Sequence, residues 1–450
     1  MLRPEFVVSY VLLDVALILV AARICGAFAL RVGQPRVVGE IVAGVLLGPT
    51  LLGPAIFVWD GSPAFMHCQE ALAAAGGAQE SITTCFFPPQ ARSVLGILGQ
   101  IALAFFMFLV GLELDWDLLK GKTKGIVVVA VSVVALPVAV GFLISPLLYD
   151  AKFVANFTDP DLKPSQAAFS LMIGAMLCVT AFPVMVRILQ EKGLTQSTMG
   201  AIGVAAAAIV TVLMFIVVMI ASGVAEDRST GEHLKKILFA VAFLAVMAVL
   251  VRPALRPLGA YYERNGFNGE VLAAVMLLLF FSAFVANALQ INVIVGGFVF
   301  GAVLPVRKPL FQDISLRLSD LTGVILLPIF LAFSGLQTDF TKLRAEHLAG
   351  IALFLVAGIA AKWGGGAVAA RAGGLSWAEG NVIGVLMNCR GLLVLVVGLI
   401  AVNQGVISQQ LQVGGVLMAL ITTGMTGPLF DRFLPAAAAS SQPEPVSVAK

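Results

Sequence analysis

Long apolar stretches recur along the chain, each about the length a helix needs to cross a hydrocarbon layer. Short polar punctuation separates them. About thirteen are read from the sequence, at 6–29, 37–57, 93–113, 124–148, 166–189, 199–223, 235–255, 269–289, 291–305, 321–336, 347–370, 380–402 and 408–433. They end at clusters of Gly, Pro and charge such as Gly33-Gln34-Pro35-Arg36 and Lys120-Gly121-Lys122-Thr123-Lys124. The ninth and tenth runs are short for a full crossing, which predicts tilted or broken helices there. The expected architecture is an all-α polytopic membrane protein. Its membrane domain covers 1–433, and a disordered cytoplasmic tail rich in Ala, Ser, Pro and Val covers 434–450. The first run is long and leads directly into further spans, so it reads as a span and not as a cleaved signal.

Composition sharpens this picture. Of 450 residues, 60% are hydrophobic and only 12% charged, against about 25% charged in soluble proteins. The mean hydropathy is +1.01. A soluble enzyme, a disordered chain and a nucleic-acid binder are all excluded. The formal charge of +3 is too small to imply a polyanionic partner. The few polar groups within spans form no nucleophile–base pair, and three scattered His make no catalytic cluster. No two of the five cysteines stand at metal-ligand spacing, so neither a metal site nor a cofactor is expected.

Lys and Arg concentrate in alternate connections. With the N-terminus outside, the inner connections hold Arg31, Arg36, Lys120, Lys122, Lys124, Arg187, Lys192, Arg252, Arg256, Arg264, Arg307, Lys308, Arg317, Arg371, Arg432 and Lys450. The outer ones hold fewer, which predicts an outside N-terminus and a cytoplasmic C-terminus in the plasma (inner) membrane. The longest loop, 58–92, then lies outside. It carries Cys68 and Cys85, which form a disulfide or remain two free thiols.

Thirteen spans divide as six, one linker and six, which predicts two inverted repeats: a first over about 6–223, a linker helix over 235–255 and a second over 269–433. Polar breaks occupy matching places in the two halves, Thr180-Ala181-Phe182-Pro183 in span five and Met387-Asn388-Cys389-Arg390-Gly391 in span twelve. Interrupted helices at corresponding positions point to a binding site near the midplane.

Several blocks carry a family likeness. They are Gly33-Gln34-Pro35-Arg36-Val37-Val38-Gly39-Glu40-Ile41-Val42-Ala43-Gly44, Leu46-Leu47-Gly48-Pro49, Phe108 to Asp115, Thr180 to Pro183, Leu327-Pro328-Ile329-Phe330, Gly335-Leu336-Gln337-Thr338-Asp339 and Met387 to Leu392. In order and spacing the chain resembles the monovalent cation:proton antiporter superfamily, in the branch of bacterial sodium/proton and potassium-efflux antiporters. The resemblance implies a dimerisation domain, a mobile core domain with two broken helices crossing, a homodimer, and exchange of Na+ or K+ for H+ by alternating access.

It also implies a pair of acids, Asp-Asp or Asn-Asp, in span six about ten residues after an opening Gly. A carboxylate at mid-membrane holds either a proton or a cation, and that competition couples the two fluxes. Counting from Gly200, those positions are Val210 and Thr211, and span six contains no acid. Other family positions differ too, with Asn287, Asn292, Gln337 and Val394 where relatives often place charged or ionisable groups. Lys362 stands where relatives often carry a lysine paired with the first span-six acid, so its counter-ion is missing. Arg390, inside span twelve, must face carbonyls, water or an acid. The remaining acids inside apolar runs, Asp14 and Glu40, are candidate coupling carboxylates, although Asp14 with Arg23, and Glu40, read first as structural groups. The expected pathway residues are therefore Thr180, Val210, Thr211, Lys362, Asn388 and Arg390. Three readings stay open: a monovalent cation/proton antiporter, a transporter of a small organic anion held by Lys362 and Arg390, and a non-transporting sensor on the same fold.

Overall fold

A computed structural model describes residues 4–48, 86–112, 123–150, 153–155, 163–181, 185, 189, 194, 198–225, 230–289, 291, 293–304, 308–336, 338 and 340–440. Cys68, Cys85, Phe182, Pro183, Arg187, Asn292 and Gln337 lie outside the described residues. The described residues are almost wholly helical, with one isolated antiparallel bridge, Val154 to Ile407.

The helices are α1 Pro4–Arg31, α2 Arg36–Leu47, α3 Pro89–Leu112, α4 Thr123–Asp150, α5 Gln166–Cys178, α6 Thr198–Ala225, α7 Thr230–Val246, α8 Arg256–Asn265, α9 Gly269–Ala288, α10 Val293–Val303, α11 Lys308–Leu321, α12 Leu327–Leu336, α13 Ala345–Ile359, α14 Gly365–Ala372, α15 Trp377–Met387, α16 Gly391–Asn403 and α17 Gln409–Ser440. Single π turns at Met247–Val251, Thr322–Leu326 and Ala360–Gly364 lie between α7 and α8, within α11–α12 and within α13–α14. Among the described residues nine helical stretches are long and apolar enough to cross a membrane, and three shorter apolar helices accompany them. Two expectations need correcting. The tenth span begins well before 321, because α11 continues through its π turn into α12. The tail expected to be disordered from 434 is helical as far as Ser440, since Ala436 to Ala439 are strong helix formers extending α17.

The chain divides into two compact units. Unit 1 takes Met1–Leu114 and Glu226–Arg344, and unit 2 takes Asp115–Ala225 and Ala345–Lys450. Each unit therefore draws on both halves of the sequence.

Unit 1 packs long, largely uninterrupted helices. On α1 the stripe Tyr10, Asp14, Ile18, Ala22 and Ala29 is buried, while Leu12, Ile24 and Phe28 on other faces are exposed. A helix apolar all round belongs in hydrocarbon. Ile18 joins Phe87, Leu95, Ile329, Ala332 and Leu336 in a core shared by α1, α3 and α12. Helices α3 and α10 lie close along Ala104, Gly111, Gly297 and Gly301. Small residues let backbones approach where lipid offers no hydrophobic drive.

Unit 2 packs α4, α5, α6 and α13 to α17. Two prolines interrupt the hydrogen-bond ladder of α4, Pro137 and Pro146. Each lacks an N–H and so leaves the carbonyl four residues earlier without its helical donor. The carbonyl freed by Pro146, at Phe142, accepts instead from the Ser145 hydroxyl at 3.0 Å.

Candidate functional site

The site grows from helix ends inside unit 2. Helix α5 starts with Ser165, whose side chain accepts from Ala168 N–H at 3.2 Å. It stops at Cys178, because Val179 takes an extended conformation (φ −55°, ψ 140°). An α-helix leaves its last four carbonyls without intrahelical donors, here those of Ala175, Met176, Leu177 and Cys178. In hydrocarbon no water is on hand to satisfy them.

Side chains satisfy all four. The Cys178 thiol donates to Ala175 O at 3.3 Å. Arg390 Nη1 donates to Met176 O at 3.2 Å and Leu177 O at 2.6 Å. Lys362 Nζ donates to Cys178 O in a short bond and to Val133 O at 2.9 Å. The Val133 carbonyl is the one freed by Pro137. Both acceptors of the ammonium are thus carbonyls with no backbone N–H to serve them.

Arg390 reaches further. Its Nη2 donates to Gly358 O of α13. A Cβ at 358 would press on the side-chain ends of Met418, Leu177 and Arg390, which would have to shift to make room. Lys362 sits in the π turn of Ala360–Gly364, a local irregularity often found at functional positions. Lys362 and Arg390 are both fully buried. Cations belong at a helix C-terminus, where the carbonyl dipoles present negative partial charge.

The second interrupted helix meets the first at its break. Helix α15 opens with a capping box, Ser376 and Glu379, and ends at Met387. Thr180 Oγ1 donates to Met387 O at 3.1 Å, and Ala181 N–H donates to Cys389 O at 2.6 Å. The chain re-enters helix at Gly391 with φ +44°, a conformation costly for a residue with a Cβ. Its N–H, the first of α16, donates to Thr423 Oγ1 of α17 at 3.1 Å.

Thr180, Lys362, Asn388 and Arg390 are thus gathered at the two breaks. Asn388 Nδ2 lies 3.9 Å from Met425 Sδ, and its buried Oδ1 has no hydrogen-bond partner. Val210 and Thr211 are buried on α6, which packs against α5 and α15. The Thr211 hydroxyl donates to Ala207 O at 2.9 Å, within its own helix.

Asp14 and Glu40 belong to unit 1. The charge acting on Asp14 is Arg92 of α3, while Arg23 acts on Glu40, as does Arg36. The expected Asp14–Arg23 pairing does not form, and both Asp14 carboxylate oxygens are buried without a hydrogen-bond partner. Nine positions along a helix are about two and a half turns, so the two side chains leave opposite faces; Asp14 is buried and Arg23 exposed.

The sequence reading passed over four contributors: Pro137, Cys178, Gly358 and Thr423. Pro137 carried a usable signal, because a proline within an apolar span always frees a carbonyl. Gly358 and Thr423 carry none by type. Among the described residues no three His, Cys, Asp or Glu come together as a metal ion would need.

Known proteins resemble this chain in sequence and in fold. The family model described as sodium/hydrogen exchanger, transmembrane, matches residues 18–434. The Na(+)/H(+) antiporter NhaS4 of Synechocystis is 33% identical over 430 residues, covering 95% of this chain and 98% of that protein. The K(+)/H(+) antiporter 1 of Saccharomyces cerevisiae is 28% identical, over 89% of this chain but only 44% of its own length. In fold the chain is similar to the sodium proton antiporter MjNhaP1 of Methanocaldococcus jannaschii, with a TM-score of 0.64 at 14% identity, covering 96% and 99% of the two chains. These relatives are transporters, not enzymes. The protein is an integral membrane protein and belongs to the sodium/hydrogen exchanger transmembrane family.

Proposed function

We propose that this protein is a secondary transporter that exchanges a monovalent cation, Na+ or K+, for H+ by alternating access. One observation carries the reading: two interrupted helices meet in unit 2 with their polar ends buried and held by Lys362 and Arg390. Broken helices of this kind supply backbone carbonyls and partial charges to an ion near the midplane. Thr180, Asn388 and Thr211 add neutral oxygens nearby in the sequence or on packed helices. The remaining features of the proposal follow the family pattern. They are about thirteen spans in two inverted repeats, a homodimer, and residence in the plasma (inner) membrane with the N-terminus outside and the C-terminus cytoplasmic.

This reading is preferred to export of an organic anion. An anion needs free positive donors, and carbonyls take two bonds from the Lys362 ammonium and both terminal nitrogens of Arg390, which leaves the buried Arg390 Nε without a partner.

The test is proton flux. Purified protein in proteoliposomes containing a pH dye is given NaCl, KCl or LiCl across an imposed pH gradient, with choline chloride as control. Cation-dependent collapse of the gradient is the expected result, and its absence with all three salts would reject the proposal. Thr211→Asp asks a second question: if α6 has lost an acid that once served coupling, restoring one changes the pH dependence of that flux.

A further inference from the structure

Exchange requires a group that holds a proton in one state and yields to a cation in the other. Relatives are expected to use acids of span six for this, and α6 contains none. Around the two breaks of unit 2, the titratable and charged groups acting on Lys362 are Cys178 of α5 and Arg390 between α15 and α16. Among the described residues α4 and α17, also packed there, place no charged group against it. Of the two cations only the ammonium can give up its proton, because a guanidinium keeps its charge.

The acceptors are equally specific. Val133 O lost its helical donor to Pro137, and Cys178 O lost its own to the end of α5. Without a positive group these oxygens would stand bare inside hydrocarbon, at several kcal/mol each. A monovalent cation is coordinated by such neutral carbonyl oxygens.

We propose that the ammonium of Lys362 is a tethered occupant of a cation site built from the carbonyls of Val133 and Cys178, and that the transported cation and the lysine proton compete for those oxygens. The inference rests on the cation/proton reading above. The step balances simply. The N–H bond breaks, the proton passes to water on the open side, and the nitrogen keeps the electron pair. The neutral amine withdraws, and one monovalent cation takes the two oxygens. On the other side the cation leaves, the amine takes a proton from water and the ammonium returns. One positive charge always occupies the pocket, so one cation moves for each proton.

The experiment measures binding and flux separately. Purified protein in lipid nanodiscs is titrated with KCl, against choline chloride, from pH 6 to pH 9, with thermal stabilisation and calorimetry as readouts. In the wild type apparent K+ affinity rises up to tenfold per pH unit while the lysine is protonated. In Lys362→Met, K+ binds with no pH dependence, and K+-driven proton flux in proteoliposomes falls at least 100-fold. In Lys362→Arg, where the site keeps a fixed charge and the fold keeps its closure, K+ binding and flux are both lost.

Pre-set outcomes separate the claims. If wild-type flux is absent but pH-dependent binding follows this pattern, the antiporter reading fails and the tethered site stands. If the wild type exchanges K+ for H+ and Lys362→Met keeps flux within threefold, the lysine is not the proton carrier and the inference is overturned. Should Lys362→Met fail to fold, as judged by size exclusion, Lys362→Arg decides alone: wild-type flux in that variant overturns the inference, and its loss with retained fold upholds it.

Discussion

The two units bury charge in different ways. In unit 1 the buried Asp14 has no hydrogen-bond partner for either carboxylate oxygen and senses the charge of Arg92, while Glu40 senses Arg23 of α1 and Arg36 one turn earlier on its own helix. In unit 2 the fully buried cations face main-chain oxygen, with Lys362 on Val133 and Cys178 and Arg390 on Met176, Leu177 and Gly358. Carbonyl dipoles hold a cation through several modest contacts that another cation can equally make. The difference teaches that losing the family's span-six acids need not leave a stranded charge, because an interrupted helix carries its own negative end.

The largest expected effect tests whether carbonyls truly depend on those cations. Arg390→Met strips the donor from three carbonyls at once. At about 1–3 kcal/mol for a buried group left unpaired, the folded state should lose about 3–5 kcal/mol, seen as a fall in yield and melting temperature in detergent. A variant as stable as the wild type would break the comparison. Next comes Gly358→Val, which drives a side chain into the guanidinium, Leu177 and Met418. Overpacking of this kind costs about 1–3 kcal/mol, and Gly358→Ala should lie below it in the same melts.

Unit 1 is sharpened by a double-mutant cycle on Asp14→Asn and Arg92→Gln. Groups that sense each other should show a coupling energy of about 0.5–3 kcal/mol in thermal unfolding; additive single effects would mean Asp14 and Arg92 are independent. The smallest effects belong to the re-entry turn of unit 2. Gly391→Ala imposes a left-handed conformation on a residue with a Cβ, worth about 1–2 kcal/mol. Thr423→Val removes the hydroxyl that receives the first N–H of α16, worth about 1 kcal/mol by analogy with an N-cap. Urea-shifted melts of the two variants and their combination would read both.

Much of this was visible in the chain itself. Apolar runs and their Gly and Pro boundaries located helices such as α4, α6 and α9 to within a few residues. The breaks at Thr180 and at Asn388 were marked by polar residues inside apolar runs, and these do meet. Lys362 and Arg390 stood out because a charged residue within a span is rare. Their partners did not, because every residue carries the same carbonyl and a sequence does not flag which ones are unpaired. Pro137 was the one clue, since it names the oxygen it frees. The start of the tenth span is not marked in the sequence because α11 alternates apolar Leu310, Ile314 and Leu318 with polar residues, a half-buried pattern with no continuous apolar run. Asp14 and Arg23 are close along the chain, but helical rotation puts those two side chains apart.

The bonds of Lys362 also set an order for biogenesis. The ribosome delivers Val133 and Cys178 long before their donor, which follows 229 and 184 positions later. Until residue 362 is inserted, the fifth helix sits in the bilayer with an open polar tip that only the insertion machinery or trapped water can shield. A chain halted before that point leaves both oxygens without the side chain that closes them in the finished protein.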